Sequence, residues 1–244
     1  MGRHDPEGIR VLIGMSSLLI LGLVSLGFGL IIAYLAGELA KRGKGSPGLR
    51  RKLAHVGIFS GAVPAHLLQG FWGVVTYGTV ISVVVLLALR QGPGHSFYDA
   101  LARPSDGDDS RRFVFGPLVF TAMGGLLASL LVGDFAVVGY LVCGWGDAAG
   151  EVVGEKWGRH RYSSPLSGDR GRTRSLEGSL GVLGAGFLGA GAAMGLLGYS
   201  LPQALGIGLL CGGAGALAEG LSGHGTDNLW VQLLPSLLAW RFLR

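Results

Sequence analysis

Two carboxylates four residues apart, Asp147 and Glu151, stand where an apolar run ends, within the stretch from Gly144 to Gly181. In a helix, residues four apart share a face, so these acids form a pair. Glycines at 146, 150, 154 and 158 leave a ridge of bare backbone beside it. Lys156, Arg159, Arg161, Arg170, Arg172 and Arg174 follow in a Ser/Gly-rich segment, and the next apolar run opens at Ser175-Leu176-Glu177-Gly178-Ser179. Acids that hold Mg²⁺, cations that hold phosphate and glycines that let backbone approach it are what a metal–nucleotide complex needs. The same stretch also reads as solvated ion pairs beside a glycine stripe that only packs helices, and the rest of the chain has to decide between the two.

Composition sets the frame for those residues. Of 244 residues, 49% are hydrophobic and only 14% charged, with a mean hydropathy of +0.50, whereas soluble domains carry roughly 25% charged residues. Glycine reaches 46 residues without a collagen period. Apolar and glycine-rich together describe a polytopic helical membrane protein, in which small residues let helices approach closely. Cys143 and Cys211 lie in apolar runs without metal-ligand spacing and are expected as buried free thiols. The net charge of +5 sits in short loops, which suits membrane orientation and anionic ligands, and no nucleic-acid motif is present. The polar start, MGRHDPEG, precedes a long apolar run without a small-residue cleavage site, so an uncleaved first span is expected.

The elements that position the acids follow from the apolar runs. Residues 11–39 exceed the roughly 20 needed to cross a bilayer. Residues 53–68 and 71–89 form a hairpin broken at Gln69-Gly70, 113–132 and 135 to about 150 a second one turning at Gly133-Asp134, and 178–197 and 201–221 a third. Residues 229–243 supply a short or tilted last span. The expected fold is all-α, a polytopic integral membrane bundle of about seven to eight transmembrane helices. Residues 1–40 are expected to form an N-terminal transmembrane helix and 41–244 the membrane domain that carries the acids and bases. Small residues at 181, 185, 189 and 193 are expected to pack helices. Three basic segments, 41–52, 90–112 and 156–174, are each separated by two spans and fall on one face, the cytoplasmic one by their charge, together with 222–228. Arg51, Lys52, His55, Asp147, Glu151, Arg174, Glu177 and Asp227 therefore share a face, and Glu219 closes an otherwise apolar helix there. An acid within a span is costly, roughly 2.5–3.5 kcal/mol at a helix centre, so Glu219 reads as functional, with Asp227-Asn228 just beyond it. Trp145, Trp157 and Trp230 read as interfacial aromatics.

Three segments resemble one family, the CTP-dependent polyprenol and diacylglycerol kinases, which include dolichol kinase and plant and cyanobacterial phytol kinase. Arg51-Lys52-Leu53-Ala54-His55 is similar to the family's R-K-x-x-H. Gly146-Asp147, Glu151, Gly154, Gly158 and then Arg174-Ser175-Leu176-Glu177-Gly178-Ser179 resemble its G-D…G…G and K-S-x-x-G-S. Glu219 with Asp227-Asn228-Leu229 resembles its E…D-N-L, and Tyr98 to Pro104 a loop of bacterial members. The resemblance spans about residues 45–235. Arg174 stands where the family usually has Lys, Thr226 where some members have a second Asp, and Gln232 where Pro is usual.

The resemblance implies transfer of the CTP γ-phosphate to the hydroxyl of an isoprenoid alcohol or diacylglycerol, with Mg²⁺, in the plasma membrane of a prokaryote. It implies Asp147 and Asp227 on Mg²⁺, with Glu151 as a third ligand or a base and Glu219 as a further metal residue. Lys156, Arg172 and Arg174 would hold the triphosphate. Glu177 and Ser179 would orient the basic loop, Gly178 would let backbone approach phosphate, and Gly154, Gly158, Ser175 and Asn228 would complete the nucleotide site. Arg51, Lys52 and His55 would bind phosphate or headgroup, and the apolar tail would lie between helices. Distant similarity to CTP:phosphatidate cytidylyltransferases offers a transferase instead, although 219–229 lacks the Lys-Arg box of those enzymes. A transporter is the third class, but the acids cluster at one face rather than within interrupted repeats.

Overall fold

The computed structural model describes residues 6–102, 110–166, 173–223 and 225–244, with 6–13, 47 and 110–113 by backbone alone. The described chain is helical almost throughout: α1 (Pro6–Lys41), α2 (Pro47–Gln91), α3 (Ser96–Leu101), α4 (Ser110–Val132), α5 (Ala136–Leu141), α6 (Asp147–Trp157), α7 (Leu176–Leu196), α8 (Leu201–Leu221) and α9 (Asp227–Leu243). Among the described residues, five helical stretches are long and apolar enough to cross a membrane.

Two of those stretches double back. Gly70 takes φ 55° and ψ −140° inside α2, a conformation open to glycine because it lacks Cβ. Tyr77 then donates to the Ile58 carbonyl at 2.7 Å across nineteen residues, which a straight helix would hold about 28 Å apart. Gly133 has φ 58°, and Tyr140 donates to the Gly125 carbonyl at 3.1 Å across fifteen residues, about 22 Å along a straight helix. The hairpins expected at both places are present. With these reversals the five stretches comprise seven helical arms. α9, at 17 residues, is shorter than the roughly 20 that span a bilayer unaided.

The loops hold more structure than their composition suggests. Within 90–112, α3 buries Phe97, Tyr98, Ala100 and Leu101 against α1 and α2. Asp99 Oδ1 accepts from the Gly94 amide at 3.1 Å. Residues 103–109, with Asp106, Asp108 and Asp109, lie outside the described residues. The basic segment is not a plain loop either: α6 runs on to Trp157, and β1 (Arg161–Ser163) pairs antiparallel with β2 (Thr173–Ser175), Tyr162 opposite Arg174. Strands of three residues show no periodicity, so only the pairing reveals them. Trp145 is not an interfacial aromatic; it is partly buried and its indole donates to Ser60 Oγ at 3.1 Å.

Glycines bring α6, α7 and α8 together. A Cβ at Gly181 would lie 3.0 Å from the Ala149 carbonyl, and one at Gly189 2.8 Å from that of Leu141, so the small-residue stripe packs helices as expected. One at Gly146 would meet Val182 at 3.2 Å. Both cysteines are buried and free. At Gly212 a Cβ would lie 2.6 Å from the Leu183 carbonyl and 2.7 Å from the Phe187 amide, whereas at Gly213 it meets nothing within 4 Å. Gly212→Ala is therefore expected to destabilise by about 1–3 kcal/mol through forced separation of α7 and α8. Gly213→Ala should be neutral or slightly stabilising, by less than ~1 kcal/mol. Thermal unfolding in detergent checks the pair, and equal melting temperatures would refute the close packing.

Candidate active site

The start of α2 is built to hold three basic side chains still. Ser46 caps it, accepting from the Leu49 amide at 3.1 Å while donating to Glu155 on α6 at 3.1 Å. Arg51, Lys52 and His55 then lie on the turns that face α6. Opposite them, a π-turn at Val142–Gly146 precedes Asp147. Such a bulge re-aims the residues that follow it and recurs at functional sites. Gly144 permits the close approach there, because a Cβ would lie 2.5 Å from that of Phe59.

Each acid meets a base across this gap. Lys52 pairs with Asp147 and lies 3.3 Å from Glu151, which Arg51 also engages. His55 Nε2 is 3.2 Å from Asp147, and its ring packs 4.6 Å from that of Phe59. Lys52 is only 4% exposed. A buried ammonium persists only when paired, so the pair on α6 and the ammonium require one another. A second cluster closes the other side. Arg174, on β2, engages Glu219 at the end of α8, Asp227 at the start of α9 at 3.2 Å and the Ser222 carbonyl at 3.2 Å. Burial, and next the Asp147 carboxylate, push the Asp227 carboxyl above its ordinary range against the pull of Arg174.

The remaining predicted residues divide by role. Glu177 accepts from the Arg159 amide at 3.1 Å and sits 2.7 Å from the His160 ring, and Ser179 lies 2.7 Å from Tyr162 Oη. Together they tie the β-hairpin to α7. Ser175 caps α7, accepting from the Gly178 amide at 3.1 Å. Asn228 donates to Thr121 Oγ1 at 2.8 Å, and Gln232, buried where the resembling family has Pro, donates to the Thr121 carbonyl at 3.1 Å. Both fix α9 against α4.

One cavity of about 790 Å³ gathers these groups. Arg51, Lys52, His55, Asp147 and Glu151 line one wall of its mouth, and Arg174, Glu219 and Asp227 the other. Gly154, Ser175, Gly178, Ser179 and Asn228 border it as well. Lys156, Gly158 and Glu177 do not: Lys156 is exposed, its ammonium 4.7 Å from the Trp157 ring, and Gly158 packs on Ser175. Gly178 serves packing, since its Cβ would lie 2.9 Å from the Gly150 carbonyl. Arg172, Asp169, Arg170 and His224 lie outside the described residues. Arg161, Ser164 and Thr173 border the mouth without having been singled out as a set; only the strand pairing brings them there. Among the described residues no three His, Cys, Asp or Glu side chains gather as a metal cluster. The four acids expected around a metal line the cavity in two ion-paired groups, Asp147 and Glu151 with Arg51 and Lys52, and Glu219 and Asp227 with Arg174.

Fold and site together define a polytopic membrane protein with a cavity that is ionic at its mouth and apolar within. The chain is 33% identical over 226 residues to phytol kinase from Synechocystis sp., covering 90% of this chain and 89% of that relative. No family model and no solved structure matches it. The chain belongs to the polyprenol/phytol kinase-like family and is a membrane kinase. Of the three classes weighed on the sequence, the relative supports the kinase.

Proposed function

We propose that this protein transfers the γ-phosphate of CTP to the hydroxyl of an isoprenoid alcohol of the phytol type, at the cytoplasmic face of a prokaryotic plasma membrane. The observation that supports this reading is the cavity, whose ionic mouth suits a nucleotide triphosphate and whose apolar interior suits a lipid. Phosphoryl transfer needs positioning and charge neutralisation more than covalent chemistry. Arg51, Lys52 and Arg174 exchange their carboxylate partners for phosphate oxygens. The alcohol oxygen bonds to the γ-phosphorus as its bond to the bridging oxygen breaks, CDP leaves, and Glu151 takes the hydroxyl proton.

The donor set fits Mg²⁺, which is held through one or two carboxylates plus substrate phosphates rather than by an all-protein cage. Asp147 and Asp227, which both line the cavity, are the residues to hold it. Bound there, the ion would neutralise charge on the phosphate oxygens.

Purified protein in detergent, given γ-labelled CTP or ATP with phytol, geranylgeraniol, a long polyprenol or diacylglycerol, tests the reading. A labelled alcohol monophosphate formed from CTP is the expected result. Label entering no lipid, with phosphatidate instead yielding a CDP-lipid from α-labelled CTP, would move the assignment to the transferase.

A further inference from the structure

The cavity does not end at its mouth. Below Lys52 it continues between the two arms of α2 and α4 as far as Ala62, ten residues deeper, or about 15 Å at the helical rise. No charged side chain borders this lower part among the described residues. Tyr140 closes it: the residue is 1% exposed, and its hydroxyl donates to the Gly125 carbonyl and lies 3.3 Å from Nδ1 of buried His66.

The walls show what the space admits. Along the second arm of α2, Gly78 and Ser82 are one turn apart at the centre of the cavity-facing arc, opposite Leu118 and Ala122 of α4. A Cβ at Gly78 meets nothing within 4 Å, so the missing side chain leaves width rather than relieving a clash. Thr79 and Val83 border the cavity and are themselves exposed. The space is thus open along that side, within a stretch apolar enough to cross a membrane.

We propose that this lower space is the subsite for the substrate's methyl-branched hydrocarbon tail, entered sideways from the bilayer past Thr79 and Val83, with Gly78 setting its width and Tyr140 its floor. Continuity with the ionic mouth is the reason for this occupant: a lipid alcohol whose hydroxyl reaches Asp147 and Glu151 has its chain here. Uncharged walls with small residues at their centre suit a branched chain, which needs width. The inference rests on the lipid-kinase reading of the mouth.

A phytol analogue carrying a photoreactive diazirine mid-chain, irradiated with the purified protein and mapped by mass spectrometry, tests it directly. Adducts within 74–86 and 114–126 are expected. Gly78→Phe should reduce them and raise KM for phytol roughly tenfold, with KM for CTP changed less than about twofold. Should Gly78→Phe fail to fold, Ala122→Phe is expected to act alike. Adducts confined to the lipid-facing sides of α1 or α8, or an unchanged phytol KM in these variants, would overturn the tail subsite. Turnover by the unsubstituted protein separates the two readings. No phosphorylation of any alcohol defeats the kinase reading, whereas turnover with adducts elsewhere defeats only the subsite.

Discussion

Asp147→Asn is expected to leave a folded protein that transfers almost no phosphate. Asn keeps the size of the side chain and removes its charge. Lys52 still lies 3.3 Å from Glu151, so the buried ammonium keeps a carboxylate partner and the helices stay together. Among the described residues Asp147 alone faces both Lys52 and His55. Removing one preorganised charge from such a site typically slows the chemical step by about 10²–10³-fold, and loss of a metal ligand should reach at least the upper part of that range. Label transfer measured beside a melting curve decides it. Full activity would remove Asp147 from the reacting centre, and a collapsed melting temperature would make it a structural ion-pair residue.

Arg174→Ala should cost both activity and stability. The guanidinium joins three elements, β2, α8 and α9, through Glu219, Asp227 and the Ser222 carbonyl. Its loss leaves two acids, at 15% and 14% side-chain exposure, facing each other without a cation. Orphaning one buried partner is worth about 3–5 kcal/mol, and partial exposure reduces that figure here. A larger fall in melting temperature than for Asp147→Asn is therefore expected, with transfer reduced by about 10²-fold or more. Arg174→Lys restores the charge as a compact ammonium without the planar fork. Because the resembling family usually carries Lys there, most of the activity should return, to within about tenfold of the parent. An alanine variant with the parent's activity and melting temperature would show that the Arg174 cluster is neither a site nor a support.

Much of the scaffold was legible without coordinates because the bilayer demands long apolar runs, and their breaks at Gly70 and Gly133 are positions where glycine admits a backbone other residues avoid. The helical spacing of four also placed Asp147 and Glu151 together, and parity with the basic segments brought α2, α6, α8 and α9 ends to one face. Partner choice was not legible. Lys52 with Asp147, Arg51 with Glu151 and Arg174 with Glu219 and Asp227 are each contacts between residues more than forty positions apart. Nothing in local pattern says which acid meets which base. For the same reason Lys156 read as a phosphate ligand from its place in a basic run, although α6 extends far enough to carry it past the mouth.

By itself, then, the amino-acid sequence determined the solvent, the long apolar helices with their turning points and the chemical types assembled at one face, because hydrophobic length and residue spacing are local properties. Only the tertiary structure decided that the glycine ridge of α6 packs against α7, that a β-hairpin carries Arg174 across to α8 and α9, and that an uncharged space runs from the ionic mouth down to Tyr140. Those features arise where side chains distant along the chain compete for one volume and one set of counter-charges.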